Sequence, residues 1–138
     1  MKEYTYEQLS VGMTETFSVT VTPDMLEQFK EISGDVNPLH RDAAYARKMG
    51  YKDKVVYGML TASFMSAAAG MYLPGKRSLI HKIEAEFPKP VYVGDLLQVE
   101  GKITEKDDAF HLIYLKIVIK NDRNEKVLRG KMRVQVLD

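Results

Sequence analysis

Asp35, Asn37 and His40 lie within six positions of one another, in the octapeptide Ser33-Gly34-Asp35-Val36-Asn37-Pro38-Leu39-His40. A carboxylate, an amide and an imidazole at that spacing can hold one water molecule and move protons to and from it, which is general acid–base chemistry. Gly34 and Pro38 stand among them, so the octapeptide reads as a loop and not as part of a helix. Pro38 also biases Asn37 toward extended backbone, and Leu39 can anchor the loop to the core. Taken singly, a loop aspartate more often makes a turn or caps the next helix. A lone histidine is more often a hydrogen-bonded structural residue. The joint pattern shifts the balance, because one stiff loop can aim all three polar groups at one point.

A second constellation is Tyr57-Gly58-Met59-Leu60 with Ser63. Gly58 stands at the entry to an uncharged stretch running from Val55 to Leu73. Backbone N–H groups at a helix start lack internal partners and carry partial positive charge. A carbonyl oxygen placed there would be polarised as negative charge develops on it. The plainer reading is that glycine only lets the helix pack closely. Ser63, five residues on, either bonds back to a carbonyl of its own helix or supports the site. Lys76 and Arg77, in a Pro-Gly-Lys-Arg turn after that stretch, can meet a phosphate of an anionic ligand. His81 and His111 fall in alternating segments and read as structural or interface residues.

These groups need elements to position them. Phe17, Val19 and Val21 alternate with polar residues, which marks a first strand. Thr22-Pro23-Asp24 then opens a short helix: Thr as N-cap, Pro at the first helical position, Asp in the first turn. Asp42 opens another short helix, closed by Gly50. Met59 to about Tyr72 reads as the longest helix, stopped by Pro74-Gly75. Beyond it everything alternates. Ile83, Ala85 and Phe87 oppose Lys82, Glu84 and Glu86. Three further runs follow, from Asp95, from Phe110 and from Val127, with turn-forming residues between them. About five strands, each with one polar face, argue for an antiparallel sheet packed on one side. The uncharged helix is the candidate for that side, which gives an α+β class.

The bulk properties set bounds. A chain of 138 residues suits one domain over 1–138 with a core of its own. Net charge is +1, so no strong field draws it to nucleic acid or to an anionic membrane. There is no cysteine, which removes disulfides, a thiol nucleophile and thiolate-bound zinc. Three histidines are too scattered to suggest a metal site. The stretch from Val55 to Leu73 approaches spanning length, but its Gly, Ser, Thr, Tyr and Ala content reads as a buried helix and not a membrane one. The polar N-terminus lacks an apolar signal core, so a cytoplasmic protein is expected.

The octapeptide, together with Val55 to Phe64, Leu73 to Lys76 and Phe87 to Asp95, resembles the MaoC-like hot-dog proteins, a family that includes the (R)-specific enoyl-CoA hydratases. The resemblance covers nearly the whole chain. It implies a hot-dog fold, an antiparallel sheet wrapped around a long central helix. It further implies Asp35 and His40 as the catalytic acid–base pair, Asn37 holding the water, and Gly58 giving a backbone N–H to the acyl thioester oxygen. Ser63 would support the site, and Tyr57, Met59 and Lys76 would contact substrate. Family members often carry His where Tyr57 stands. The implied reaction is hydration of a trans-2-enoyl-CoA to the (R)-3-hydroxyacyl-CoA, or its reverse, by a homodimer or dimer of dimers without cofactor or metal. Two other readings stay open: a dehydratase acting on acyl carrier protein, and a non-catalytic module that binds acyl thioesters.

Overall fold

The computed structural model describes residues 1–138. Period-two alternation becomes one five-stranded antiparallel sheet. Its strands are β1 (Thr14–Thr20), β2 (Ser78–Glu86), β3 (Leu96–Asp107), β4 (Leu112–Lys120) and β5 (Lys126–Val136). Their order across the sheet is β1-β3-β4-β5-β2, and every pairing is antiparallel. The register carries apolar side chains straight across the strands, as in the row Ile103, Leu115, Met132, Ile83. One face of β3, β4 and β5 is thereby buried and the other stays polar.

The central helix α4 (Gly58–Ala67) packs on the buried face and runs into a π-helical turn, Ala68–Tyr72. Its small residues let it approach the sheet closely. Leu60, Ala62, Met65, Ala68 and Ala69 join Leu97, Val99, Ile113, Ile117 and Val134 in one apolar cluster. Met65 lies directly over Gly130, where an added Cβ would stand 2.5 Å from the Met65 Cε. A side chain at 130 would therefore force the helix or Met65 aside. No helix is long and apolar enough to cross a membrane; the uncharged stretch is filled by packing against the sheet.

Three short helices lie between β1 and α4: α1 (Pro23–Ser33), α2 (Pro38–Arg41) and α3 (Ala43–Lys48). All three start the same way. Thr22, Asn37 and Asp42 sit at the N-caps and their side-chain oxygens accept from backbone N–H groups of the following turn. Helices of four to eleven residues are marginal alone, so caps and packing hold them.

Three expectations need correction. The octapeptide is not wholly a loop: Ser33 ends α1, and Pro38 to His40 belong to α2. Asn-Pro, read as a breaker, here serves as N-cap and first helical residue. The alternation in β2 is interrupted by a bulge, since Ile80 pairs with Val134 and Lys82 with Arg133, leaving His81 unpaired. His111 lies in the turn before β4 with φ of 51°, not in a strand. Its ring stacks on Tyr6 and its Nδ1 meets the Asp138 carboxylate.

Candidate active site

The acid–base candidates are held by the junction of α1, α2 and the start of α4. Gly34 closes α1 in the left-handed conformation, φ 73°, where a Cβ would be strained. That turn delivers Asp35, whose Oδ1 accepts from the Asn37 N–H at 2.9 Å. Asn37 Oδ1 in turn accepts from the Leu39 N–H at 2.9 Å. Asn37 thus spends its carbonyl on capping α2 and keeps its amide N–H₂ free. His40 follows one turn later. Its Nδ1–H donates to the Val55 carbonyl at 2.7 Å. A carbonyl can only accept, so Nδ1 carries a proton, and in the neutral ring Nε2 is the nitrogen left with the lone pair. The neutral ring can therefore accept a proton at one defined nitrogen, Nε2.

Tyr57 ties the two candidates together. It is 2% exposed, and its hydroxyl donates to the Asp35 backbone carbonyl at 2.6 Å. Its ring lies against His40, centroids 4.2 Å apart and planes tilted by 31°, and against Phe29, centroids 4.9 Å apart. Arg41, next to His40, binds Glu27 of α1 at 2.6 Å. The Arg41 guanidinium, then the Lys30 ammonium, hold the Glu27 carboxyl down at about 2. The segment carrying Asp35 and His40 is therefore pinned to α1 by an ion pair and to α4 by a phenol.

His40 and Gly58 line one cavity of about 290 Å³ with Thr61, Phe87 and Val91 among its other walls. Tyr57 is the N-cap residue of α4 but supplies no capping side chain. The Gly58 N–H, as the first of the helix, has no intrahelical partner. A Cβ at Gly58 would meet only the Phe87 ring at 3.5 Å, an ordinary contact. The space argument for this glycine is accordingly weak.

Asp35 and Asn37 are not among this cavity's lining residues, and neither are the other expected contacts. Ser63 is exposed and gives its hydroxyl to the Leu60 carbonyl at 2.6 Å. Met59 is 66% exposed. Lys76 lies beyond the far end of the central helix, paired with Glu3 at 3.3 Å. Tyr57 is buried with its hydroxyl engaged, so it braces the site instead of touching a substrate. Two residues were overlooked. Val55 acts through its carbonyl, which no side-chain pattern can signal. Thr61 lies three residues from Gly58 on the same helix face, but one hydroxyl in an apolar helix carries no mark in the sequence that sets it apart.

An antiparallel sheet wrapped on a central helix, with His40 lining a cavity at that helix's N-terminus, defines a hot-dog fold with a candidate site at the helix start. Residues 8–124 match the family described as the MaoC like domain. The chain belongs to that family. It is 36% identical over 98 residues to an (R)-specific enoyl-CoA hydratase of Aeromonas caviae, covering 71% of this chain and 73% of that one. It is 31% identical over 100 residues to a 3-hydroxybutyryl-CoA dehydratase of Methylorubrum extorquens, covering 72% of this chain but only 64% of that enzyme's length. The R-hydratase PhaJ1 of Pseudomonas aeruginosa superimposes with a TM-score of 0.90 at 30% identity, over 97% of this chain and 86% of that one.

Proposed function

We propose that this protein is a hydro-lyase that adds water to a short trans-2-enoyl-CoA, giving the (R)-3-hydroxyacyl-CoA, and catalyses the reverse elimination. The observation that carries the reading is the His40 tautomer: Nδ1–H is engaged by Val55, so Nε2 is the basic nitrogen beside a helix N-terminus. The enoyl thioester is electrophilic at C3 because its carbonyl withdraws electrons. The thioester oxygen docks at the Gly58 N–H. Water, held between Asp35, the Asn37 amide and His40, loses a proton to the pair as its oxygen bonds to C3. The electron pair of the C2–C3 double bond moves toward the carbonyl, and the enolate-like oxygen is stabilised by the donor and the helix N-terminus. The pair then returns a proton to C2. Both additions come from one side of the substrate, so the addition is syn.

The cavity of about 290 Å³ lies at the small end of the usual ligand-pocket range of roughly 300–1,000 Å³, which favours a short acyl group. The homodimer belongs to this proposal as well. β2 is an edge strand whose outer side has no partner, and Leu79, Ile83 and Phe87 are exposed beside it. Such an edge invites pairing with a second copy. The deciding experiment follows loss of enoyl absorbance with crotonyl-CoA, with chiral analysis of the product and a series of longer chains and carrier-protein thioesters. Formation of the (R) product supports the proposal. The (S) product, or no turnover on any chain length or carrier, refutes it.

A further inference from the structure

Two buried side-chain polar atoms in the whole chain lack a hydrogen-bond partner, and one of them is Thr61 Oγ1. Thr61 is 1% exposed and lines the same cavity as His40 and Gly58. A buried hydroxyl without a partner is costly, so a retained one calls for a ligand atom to satisfy it. The usual escape for a helical threonine is a bond to the carbonyl four residues back. That carbonyl belongs to Tyr57, and it already accepts from the Leu60 N–H at 3.0 Å and the Thr61 N–H at 3.2 Å. Both its lone pairs are spoken for, and the Thr61 hydroxyl does not take the route that Ser63 takes, to the carbonyl three residues back, but stays unpartnered.

Direction supplies the rest. Side chains of an α-helix tilt toward its N-terminus, and residues three apart share a face. The Thr61 side chain is therefore directed back over the turn that Gly58 opens. From this convergence we infer that the Thr61 hydroxyl is a second hydrogen-bond donor to the thioester oxygen, beside the Gly58 N–H. Two donors, one main-chain and one hydroxyl, meet the oxygen on which charge grows. The inference rests on the reading of this cavity as an enoyl-thioester site. It adds a catalytic residue whose hydroxyl has no structural task.

That last property makes the test sharp. Thr61→Val keeps the shape and removes the hydroxyl; Thr61→Ser keeps the hydroxyl. With crotonyl-CoA, Thr61→Val is expected to lower kcat by about ten- to a hundredfold with KM nearly unchanged, the pattern of a lost transition-state donor. Its melting temperature should hold or rise, because an unsatisfied buried hydroxyl has been exchanged for a methyl group. Thr61→Ser should stay within a few-fold of the parent in kcat. The inference is overturned if Thr61→Val retains its kcat. It is equally overturned if Thr61→Val melts lower and Thr61→Ser loses as much kcat, since the side chain would then act through packing. Failure of the parent protein on every enoyl thioester would instead refute the underlying site reading, and this inference with it.

Discussion

Tyr57→Phe tests whether the site works through positioning. The substitution leaves the ring on His40 and Phe29 and deletes one bond, the 2.6 Å contact from the hydroxyl to the Asp35 carbonyl. The phenol is buried, while Asp35 is half-buried, so water can reach part of the orphaned carbonyl. The loss should sit near the low end for a buried hydrogen bond, about 1 kcal/mol, or a fall of about 4 °C in Tm for a chain of this size. Activity should fall further than stability suggests. Asp35 would be released from the start of α4, and misplacing a reacting group by about 1 Å can cost on the order of a hundredfold. A decrease in kcat of about ten- to a hundredfold is therefore expected in the crotonyl-CoA assay, with circular dichroism unchanged. A variant that melts lower yet turns over at the parental rate would refute the positioning argument and leave Tyr57 a core residue only.

Asp35→Asn and His40→Ala should each lower turnover by about two to four orders of magnitude, the range for a positioned acid or base; Asn at 35 keeps an acceptor for the Asn37 N–H, so the turn should survive, and near-parental rates in either variant would remove the dyad. Gly58→Pro deletes the main-chain donor at a position where proline suits the helix and Tyr57, at φ −51° and ψ 125°, suits a following proline. A loss of about two to three orders in kcat is expected, against a small effect of Gly58→Ala. Glu27→Gln should flatten the acid limb of stability. The Glu27 carboxyl is lowered from 4.5 to about 2 in the fold, so its contribution is present above the unfolded value and lost as pH falls through the folded one. Thermal melts of parent and variant should converge as pH drops through that window, and parallel curves would contradict the assignment. Sedimentation at micromolar concentration should give at least twice the 15.7 kDa chain mass, and an active monomer would exclude pairing through β2.

Much of this architecture is written in short-range patterns. Thr22-Pro23 begins α1, and the alternating runs become strands, because capping and period-two burial are local effects that residue types report directly. The misreadings come from tertiary context, with one exception that is local. Asn37-Pro38 starts a helix because the side-chain oxygen of Asn37 finds the Leu39 N–H. Ile83 shares the apolar parity of Ala85, yet it is 45% exposed, because β2 is the sheet edge and the helix does not cover it. Tyr57 reads as a substrate contact from the family resemblance, and only the fold reveals that its hydroxyl reaches back to residue 35. The candidate acid–base residues stood out because three polar side chains crowd one segment. Thr61 did not, since one hydroxyl in an apolar helix has no sequence mark that separates an idle group from a working one.

The bond from His40 Nδ1–H to the Val55 carbonyl has an evolutionary consequence. A main-chain oxygen is present whatever residue occupies position 55, so point substitution there cannot erase it. The choice of which imidazole nitrogen receives the proton is shielded from mutational drift at its own source. It is instead exposed to anything that moves the backbone. Insertions or deletions between residues 41 and 55 should be tolerated far less than replacements of the same residues. The constraint would leave a record of fixed length rather than fixed identity.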